Sequence, residues 1–328
     1  MISRNGNRIE VCGGYIAGVV TVVPSLRLTN GDWPHAQEAA KMTGVLERRH
    51  AGDGNTTESL CLAAAKKLLS SLSWTPESID ALVYVTQTPG SAVPASAFTL
   101  HAQLGLPQNC PAVEVNWSCS GYVYGLWIAS KLALGEVGEN KRVLLLVGDT
   151  SSKIIDPEDR ATAPLFGDAG SATAVQGGDG LMRFVLGTDG SGADQLSQAH
   201  GDFLHMDGPQ VFGFTLKRVP GLVADVLEDR SLSSINSIDY LLFHQANKWM
   251  LDHIAKKCGL GVHFMPEQIP SNIDRFGNTS CTSIPLLLCD KVGFDPGVVA
   301  MLGYGAGWGW AAVTVDLWHM RVCELMEV

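Results

Sequence analysis

This chain carries a thiol, an imidazole and a carboxamide in short polar strings beside apolar runs, side chains that can supply a nucleophile and neutral donors for a carbonyl oxygen. Cys119 stands in Asn116-Trp-Ser-Cys119-Ser-Gly, where an apolar run over 112–116 gives way to a helical pattern from Gly121 onward. A thiol at a helix N-terminus feels the positive end of the macrodipole, which favours the thiolate by ~0.3–1 kcal/mol. Since ~1.36 kcal/mol is one pKa unit, the dipole alone lowers the pKa by less than a unit, and a base or cation must help. The plain alternative is a space-filling residue, because free cysteine is among the most buried types. Cys281, in Asn278-Thr-Ser-Cys281-Thr, has a similar string and competes for the role.

His244 ends the apolar run 240–243 and opens His244-Gln-Ala-Asn247. A histidine at the mouth of a buried strand faces a cleft, since ligands of α/β sheets bind beyond the carboxyl ends of strands. The competing reading is a histidine that caps the following helix. Asn278 lies in Asp274-Arg-Phe-Gly-Asn278-Thr-Ser, ahead of a helical run over 284–289. Its amide offers two donors and does not titrate near neutrality, so it can hold a carbonyl oxygen without adding charge. Gly303-Tyr-Gly305-Ala306-Gly307-Trp-Gly309 follows an apolar run over 298–302; its spacing is not that of a dinucleotide fingerprint. Glycines there let the backbone approach a ligand and aim an N–H at an oxyanion, or simply end a strand in a tight turn. No G-x-S-x-G, Walker A or His-Glu-x-x-His string occurs.

These strings recur in a duplicated pattern. Ser78-Ile-Asp-Ala-Leu-Val-Tyr and Ser237-Ile-Asp-Tyr-Leu-Leu-Phe match at an offset of 159, each after a helical stretch (58–72 and 216–227). The N-x-S-C strings at 116 and 278 are offset by 162, and Val143-Leu-Leu-Leu-Val-Gly matches Val298-Val-Ala-Met-Leu-Gly at 155. Three matches in one order at nearly one spacing predict two similar halves, 1–175 with the thiol and 176–328 with the imidazole and carboxamide. Each half alternates short apolar strands with helices, an α/β pattern with parallel crossovers.

Composition narrows the class. The chain has 328 residues, 46% hydrophobic and 17% charged, which describes a globular protein with ample core. With 23 Lys+Arg against 33 Asp+Glu and a net charge of -10, nucleic acid is not an expected partner. Eight cysteines without a CxxC pair suggest neither a zinc site nor a disulfide framework, and fit reduced thiols of a cytoplasmic protein. No metal is expected. The apolar stretch 11–23 is broken by glycines at 13 and 14 and lacks a small-x-small cleavage pattern, so it reads as a first core strand rather than a signal peptide. No run reaches the ~18 apolar residues of a membrane span.

Taken in order, these strings resemble the ketoacyl-ACP synthase III group of the thiolase-fold superfamily. The match includes Asp159-Arg160-Ala-Thr-Ala-Pro-Leu-Phe-Gly167-Asp168-Ala-Gly and His205-Met-Asp-Gly-Pro-Gln-Val-Phe, and runs from about residue 10 to the strand near Val315. The resemblance implies a five-layer αβαβα fold of two similar halves and a homodimer. It makes Cys119 the nucleophile, faced by His244 and Asn278, with the backbone N–H groups of Cys119 and Ala306 as the oxyanion hole. It implies an acyl-CoA donor and a malonyl-loaded acyl carrier protein or malonyl-CoA as acceptor. No cofactor is implied beyond the coenzyme A thioester.

The resemblance also assigns Asn247 and Arg160 to substrate binding, Arg160 stacking on the coenzyme A adenine, and Lys256 and Lys257 to carrier docking. Val93 falls where relatives often place a bulky residue from the partner subunit that closes the acyl tunnel, so a smaller side chain predicts room for a medium or branched acyl group. Two departures bear on the acceptor. Usual members follow the His-Gln-Ala-Asn string with a docking arginine, whereas this chain has Lys248-Trp249; and Trp33 lies too far from Thr43-Gly44 to align with the adenine's aromatic partner. The missing docking arginine, together with the altered tunnel at Val93, leaves room for transfer of the acyl group to an amine or hydroxyl of a small molecule. A catalytically idle partner in a heterodimer is a third reading.

Overall fold

The computed structural model describes residues 1–32, 40–41, 43–135, 140–199, 201–228, 238–293 and 297–328, so Trp33 and Ser237 lie outside the described residues. The strands in chain order are β1 Arg8–Val23, β2 Arg27–Thr29, β3 Glu47–Arg49, β4 Ala81–Val85, β5 Ala112–Val115, β6 Arg142–Thr150, β7 Asp168–Gly192, β8 Leu196–Ser197, β9 His205–Met206, β10 Tyr240–Phe243, β11 Val298–Gly305, β12 Gly307–Asp316 and β13 Val322–Glu327. The helices are α1 Thr57–Leu72, α2 Ser96–Leu104, α3 Gly121–Ala133, α4 Gly208–Leu227, α5 Lys248–Lys257, α6 Ile273–Phe276 and α7 Ser283–Leu287.

The long strands β1 and β7 carry the chain's two halves on one continuous framework. Residues 168–176 of β7 pair with β6, and residues 182–192 pair with β12. β1 runs antiparallel to both parts, with a register shift between Gly13 and Tyr15. Gly14 permits that break: its φ is +116° and an added Cβ would stand 2.8 Å from the Gln176 carbonyl oxygen. The boundary drawn at 175/176 therefore falls inside β7 rather than in a linker. On one side of the break β5, β4 and β6 run parallel; on the other, β10 and β11 do.

Alternation along the strands builds the layers. Val83, Leu145 and Val147 face inward with Leu242, Val299 and Met301, and between the two wings that β7 joins lie Val123 and Leu126 of α3 with Ile284 and Leu287 of α7. The intervening residues Leu82, Tyr84, Leu144 and Leu146 face α1 and α2. Leu241, Phe243, Ala300 and Leu302 face α4 and α5. Period-two burial on both faces thus makes helix, sheet, helix, sheet, helix, the five layers the resemblance implies.

Local signals set the helix limits. α1 begins behind Thr56, which shares a capping box with Ser59, an arrangement worth about 1 kcal/mol. The pattern over 216–227 marks only the second half of α4, which starts at Gly208, because Asp207 caps it and Pro209 occupies its first turn. The run 284–289 forms α7 and then continues as a π turn over Leu288–Val292. Among the described residues no helix is long and apolar enough to cross a membrane.

Candidate active site

Cys119 is 5% exposed and sits in the turn between β5 and α3, one residue before the helix N-cap Ser120. The turn is held by the Gly121 N–H donating to the Ser118 carbonyl at 2.5 Å and by Trp117 Nε1 donating to Ser120 Oγ at 2.8 Å. Gly305 of β11 closes over it. A Cβ on Gly305 would stand 2.8 Å from Cys119 Cβ and 3.0 Å from Sγ, so only glycine lets the strand come this near.

His244 follows β10, and its N–H donates to the Leu302 carbonyl at 2.8 Å, extending the parallel pairing by one residue. Nδ1 lies 2.7 Å from Ser283 Oγ at the start of α7, and the ring stands edge-on to Tyr304 at 5.5 Å. Burial holds its pKa down at about 3, a contact with the Ser280 backbone working the other way, so the imidazole is neutral. Ser283 Oγ also accepts from the Gln245 N–H at 3.4 Å. The helix cap is Asn247 rather than His244: Asn247 Oδ1 accepts from the Met250 N–H at 2.7 Å.

Asn278 follows α6 and is pinned by backbone bonds to the 165–167 segment, donating to the Leu165 carbonyl at 2.9 Å and accepting from the Gly167 N–H at 3.0 Å. Its Oδ1 accepts from the Ser280 N–H at 2.9 Å and its Nδ2 donates to the Ala246 carbonyl at 3.4 Å. One amide proton is thereby left over. Asp168, in the string that resembles the family's loop, anchors this segment by accepting from the Ala51 N–H and from Ser152.

Cys119, His244, Asn247 and Asn278 line one cavity of about 80 Å³, closed by Leu165, Phe166 and Met250 among others. The small lowering that the helix terminus alone would give Cys119 is overridden here. Burial, and after it the Asp149 carboxylate, push the thiol up to about 12; hydroxyls of Ser280 and Ser118 and the cysteine's own N–H lower it only in part. A helix terminus worth less than one unit does not offset full desolvation.

Gly305 excepted, the other sequence-derived residues lie apart from this cavity. Gly305 lines it, while Ala306 borders an adjoining cleft of about 280 Å³ that shares Leu196. Val93 is 88% exposed, and Arg160, Lys256 and Lys257 are exposed. Lys248 pairs with Asp252 at 2.9 Å, and Trp249 stacks on Phe212 at 4.3 Å. Ser283, Leu165 and Asp149 were not picked out from the sequence; a serine in a polar run ahead of a helix and a leucine in a loop carry no distinguishing spacing. Among the described residues no three His, Cys, Asp or Glu side chains converge as a metal-binding set.

A five-layer fold with a buried cysteine at the head of its central helix, facing an imidazole and a carboxamide from the other half, defines a thiolase-like acyl-transferring enzyme. The profile of 3-oxoacyl-[acyl-carrier-protein (ACP)] synthase III matches residues 113–190, and that of its C-terminal part matches 229–317. The chain belongs to this family. It is 34% identical to a beta-ketoacyl-[acyl-carrier-protein] synthase III of Bacillus pumilus over 92% of this chain and 97% of that one. It is 33% identical to the Oceanobacillus iheyensis enzyme of the same name, over 88% and 90%. The crystal structure of a 3-oxoacyl-(acyl-carrier protein) synthase from Burkholderia xenovorans LB400 superposes with a TM-score of 0.90 at 40% identity, covering 98% of this chain and 99% of that one.

Proposed function

We propose that this enzyme acylates Cys119 from an acyl-CoA and then condenses the acyl group with a malonyl thioester, carried by an acyl carrier protein or by coenzyme A, releasing carbon dioxide. The observation that carries the reading is that Cys119, His244 and Asn278 line one buried cavity. The Cys119 thiolate attacks the thioester carbonyl; the N–H groups of Cys119 and Ala306 hold the oxyanion while the coenzyme A thiolate departs. The malonyl thioester then enters with its carbonyl oxygen toward His244 and Asn278. As the carboxylate carbon leaves as carbon dioxide, its bonding pair becomes an enolate on that oxygen, held by the ring N–H of the neutral imidazole and the remaining amide proton. The enolate carbon attacks the acyl carbonyl, the Cys119 thiolate is expelled, and a β-ketoacyl thioester results. A neutral ring suits this step, since it donates to a developing anion without first being protonated.

In the same reading the first half, 1–175, supplies the nucleophile and the second, 176–328, the two donors. Asn247, whose Oδ1 is taken by the cap, offers its amide nitrogen to substrate. Arg160 receives the coenzyme A adenine, Lys256 and Lys257 receive an acidic carrier protein, and Val93 reaches the acyl tunnel of a second copy in a cytoplasmic homodimer. The thioester is the only cofactor-like group required. The pairing of Lys248 with Asp252 and the packing of Trp249 favour one alternative, transfer of the acyl group to a small amine or hydroxyl. Carbon dioxide release from malonyl thioester by acyl-loaded enzyme separates the two: stoichiometric release supports condensation, and acylation without release rejects it.

A further inference from the structure

Beside the candidate nucleophile lies a hydroxyl that the mechanism above does not use. Ser118 is 6% exposed, and its Oγ is shut off from solvent with no hydrogen-bond partner. A buried hydroxyl left unpaired is costly, and native structures rarely keep one without a partner in some state of the molecule. Gly305 shows where this one lies: a Cβ built there would stand 3.0 Å from Cys119 Sγ and 3.3 Å from Ser118 Oγ, so sulfur and oxygen border the same small space in front of β11. Ser120, on the other side of the cysteine, is already committed to the Trp117 indole.

We propose that the Ser118 hydroxyl donates a hydrogen bond to the Cys119 sulfur when that sulfur is ionised, and so sets how much thiolate is available for acylation. A thiol is a weak acceptor and a thiolate a strong one, so the hydroxyl makes no bond in the resting state and lowers the thiol's pKa only through the ion. Ser118 keeps its own proton throughout; the proton lost from sulfur passes to solvent, as in any thiol ionisation. The titratable groups facing the sulfur act differently. Asp149 on β6 opposes the thiolate, Tyr304 on β11 stays protonated because burial holds its pKa up, and His244 after β10 is neutral. Besides Ser118, the Ser280 hydroxyl and the Cys119 N–H favour the ion. The inference rests on Cys119 as nucleophile.

The test is carbamidomethylation of Cys119 by iodoacetamide in the purified full chain, followed by peptide mass against pH, with acyl-CoA loading measured in parallel. Ser118→Ala is expected to slow alkylation about tenfold at pH 8 and to move the rate curve up by about one pH unit, the size of a hydrogen bond to a charged group. Ser118→Thr keeps the hydroxyl and is expected to follow the parent curve. Thr314→Val removes another buried, unpartnered hydroxyl, on β12 about eight residues and roughly 26 Å of strand beyond Ala306, and is expected to change nothing. Coincident curves for Ser118→Ala and the parent overturn the proposal, as does equal slowing by Ser118→Thr or Thr314→Val. Acyl loading of the parent chain on Cys119 with unchanged Ser118→Ala alkylation sinks only this inference; no loading of the parent sinks the reading beneath it.

Discussion

The turns around Cys119 and Cys281 share the N-x-S-C string, yet Cys119 lines a cavity whereas Cys281 is fully buried. Each packs against the strand end of the opposite half. β6 ends in Gly148-Asp149-Thr150, and Asp149 accepts from Cys281 Sγ at 3.0 Å while also taking the Gln87 N–H at 2.7 Å. β11 ends in Leu302-Gly303-Tyr304-Gly305, and Gly305 stands against Cys119 with no side chain to offer an acceptor. Cys281 is 0% exposed, and burial with the Asp149 carboxylate pushes its pKa well up. The same short string thus yields a structural thiol where a carboxylate closes the strand end, and a cavity-lining thiol where glycine does.

Substitutions that separate the two turns test this contrast. Cys119→Ala is expected to abolish the acyl-enzyme seen by intact mass, whereas Cys281→Ala retains it and costs about 1–3 kcal/mol in urea unfolding, because Asp149 loses a donor. Asn278→Ala is expected to acylate normally and to release carbon dioxide ~10²–10³-fold more slowly. Gly305→Ala pushes on the sulfur from β11 and is expected to slow acylation about 10²-fold, as displacement of a reacting atom does. The smallest expected effect is on stability. His244 is held at about 3 by burial against 6.5 when unfolded, so the unfolded chain takes up the proton first; this contribution is complete above about pH 6.5 and is lost as pH falls toward 3. Between pH 7 and 5 it amounts to about 2 kcal/mol, and His244→Gln is expected to show a correspondingly flatter urea midpoint over that interval.

Much of this arrangement could be read from residue order. The offsets near 160 correspond to β4 with β10, β6 with β11, and the heads of α3 and α7; the strand strings are legible because each is apolar enough to be buried on both faces. The run 240–243 gave β10 with its limits. What the string around Cys119 does not carry is desolvation: helix position is local, but burial is set by strands from the other half, and the expected direction of the thiol's pKa was reversed as a result. Ser283 and Leu165 orient His244 and Asn278 through contacts across 39 and 113 positions, which no spacing rule marks.

The most direct test of the account is peptide-resolved mass spectrometry of the full chain after exposure to a panel of acyl-CoAs. The account predicts a single thioester adduct on Cys119 and an unmodified Cys281. An adduct on Cys281, or none on Cys119 with any acyl-CoA, would contradict it.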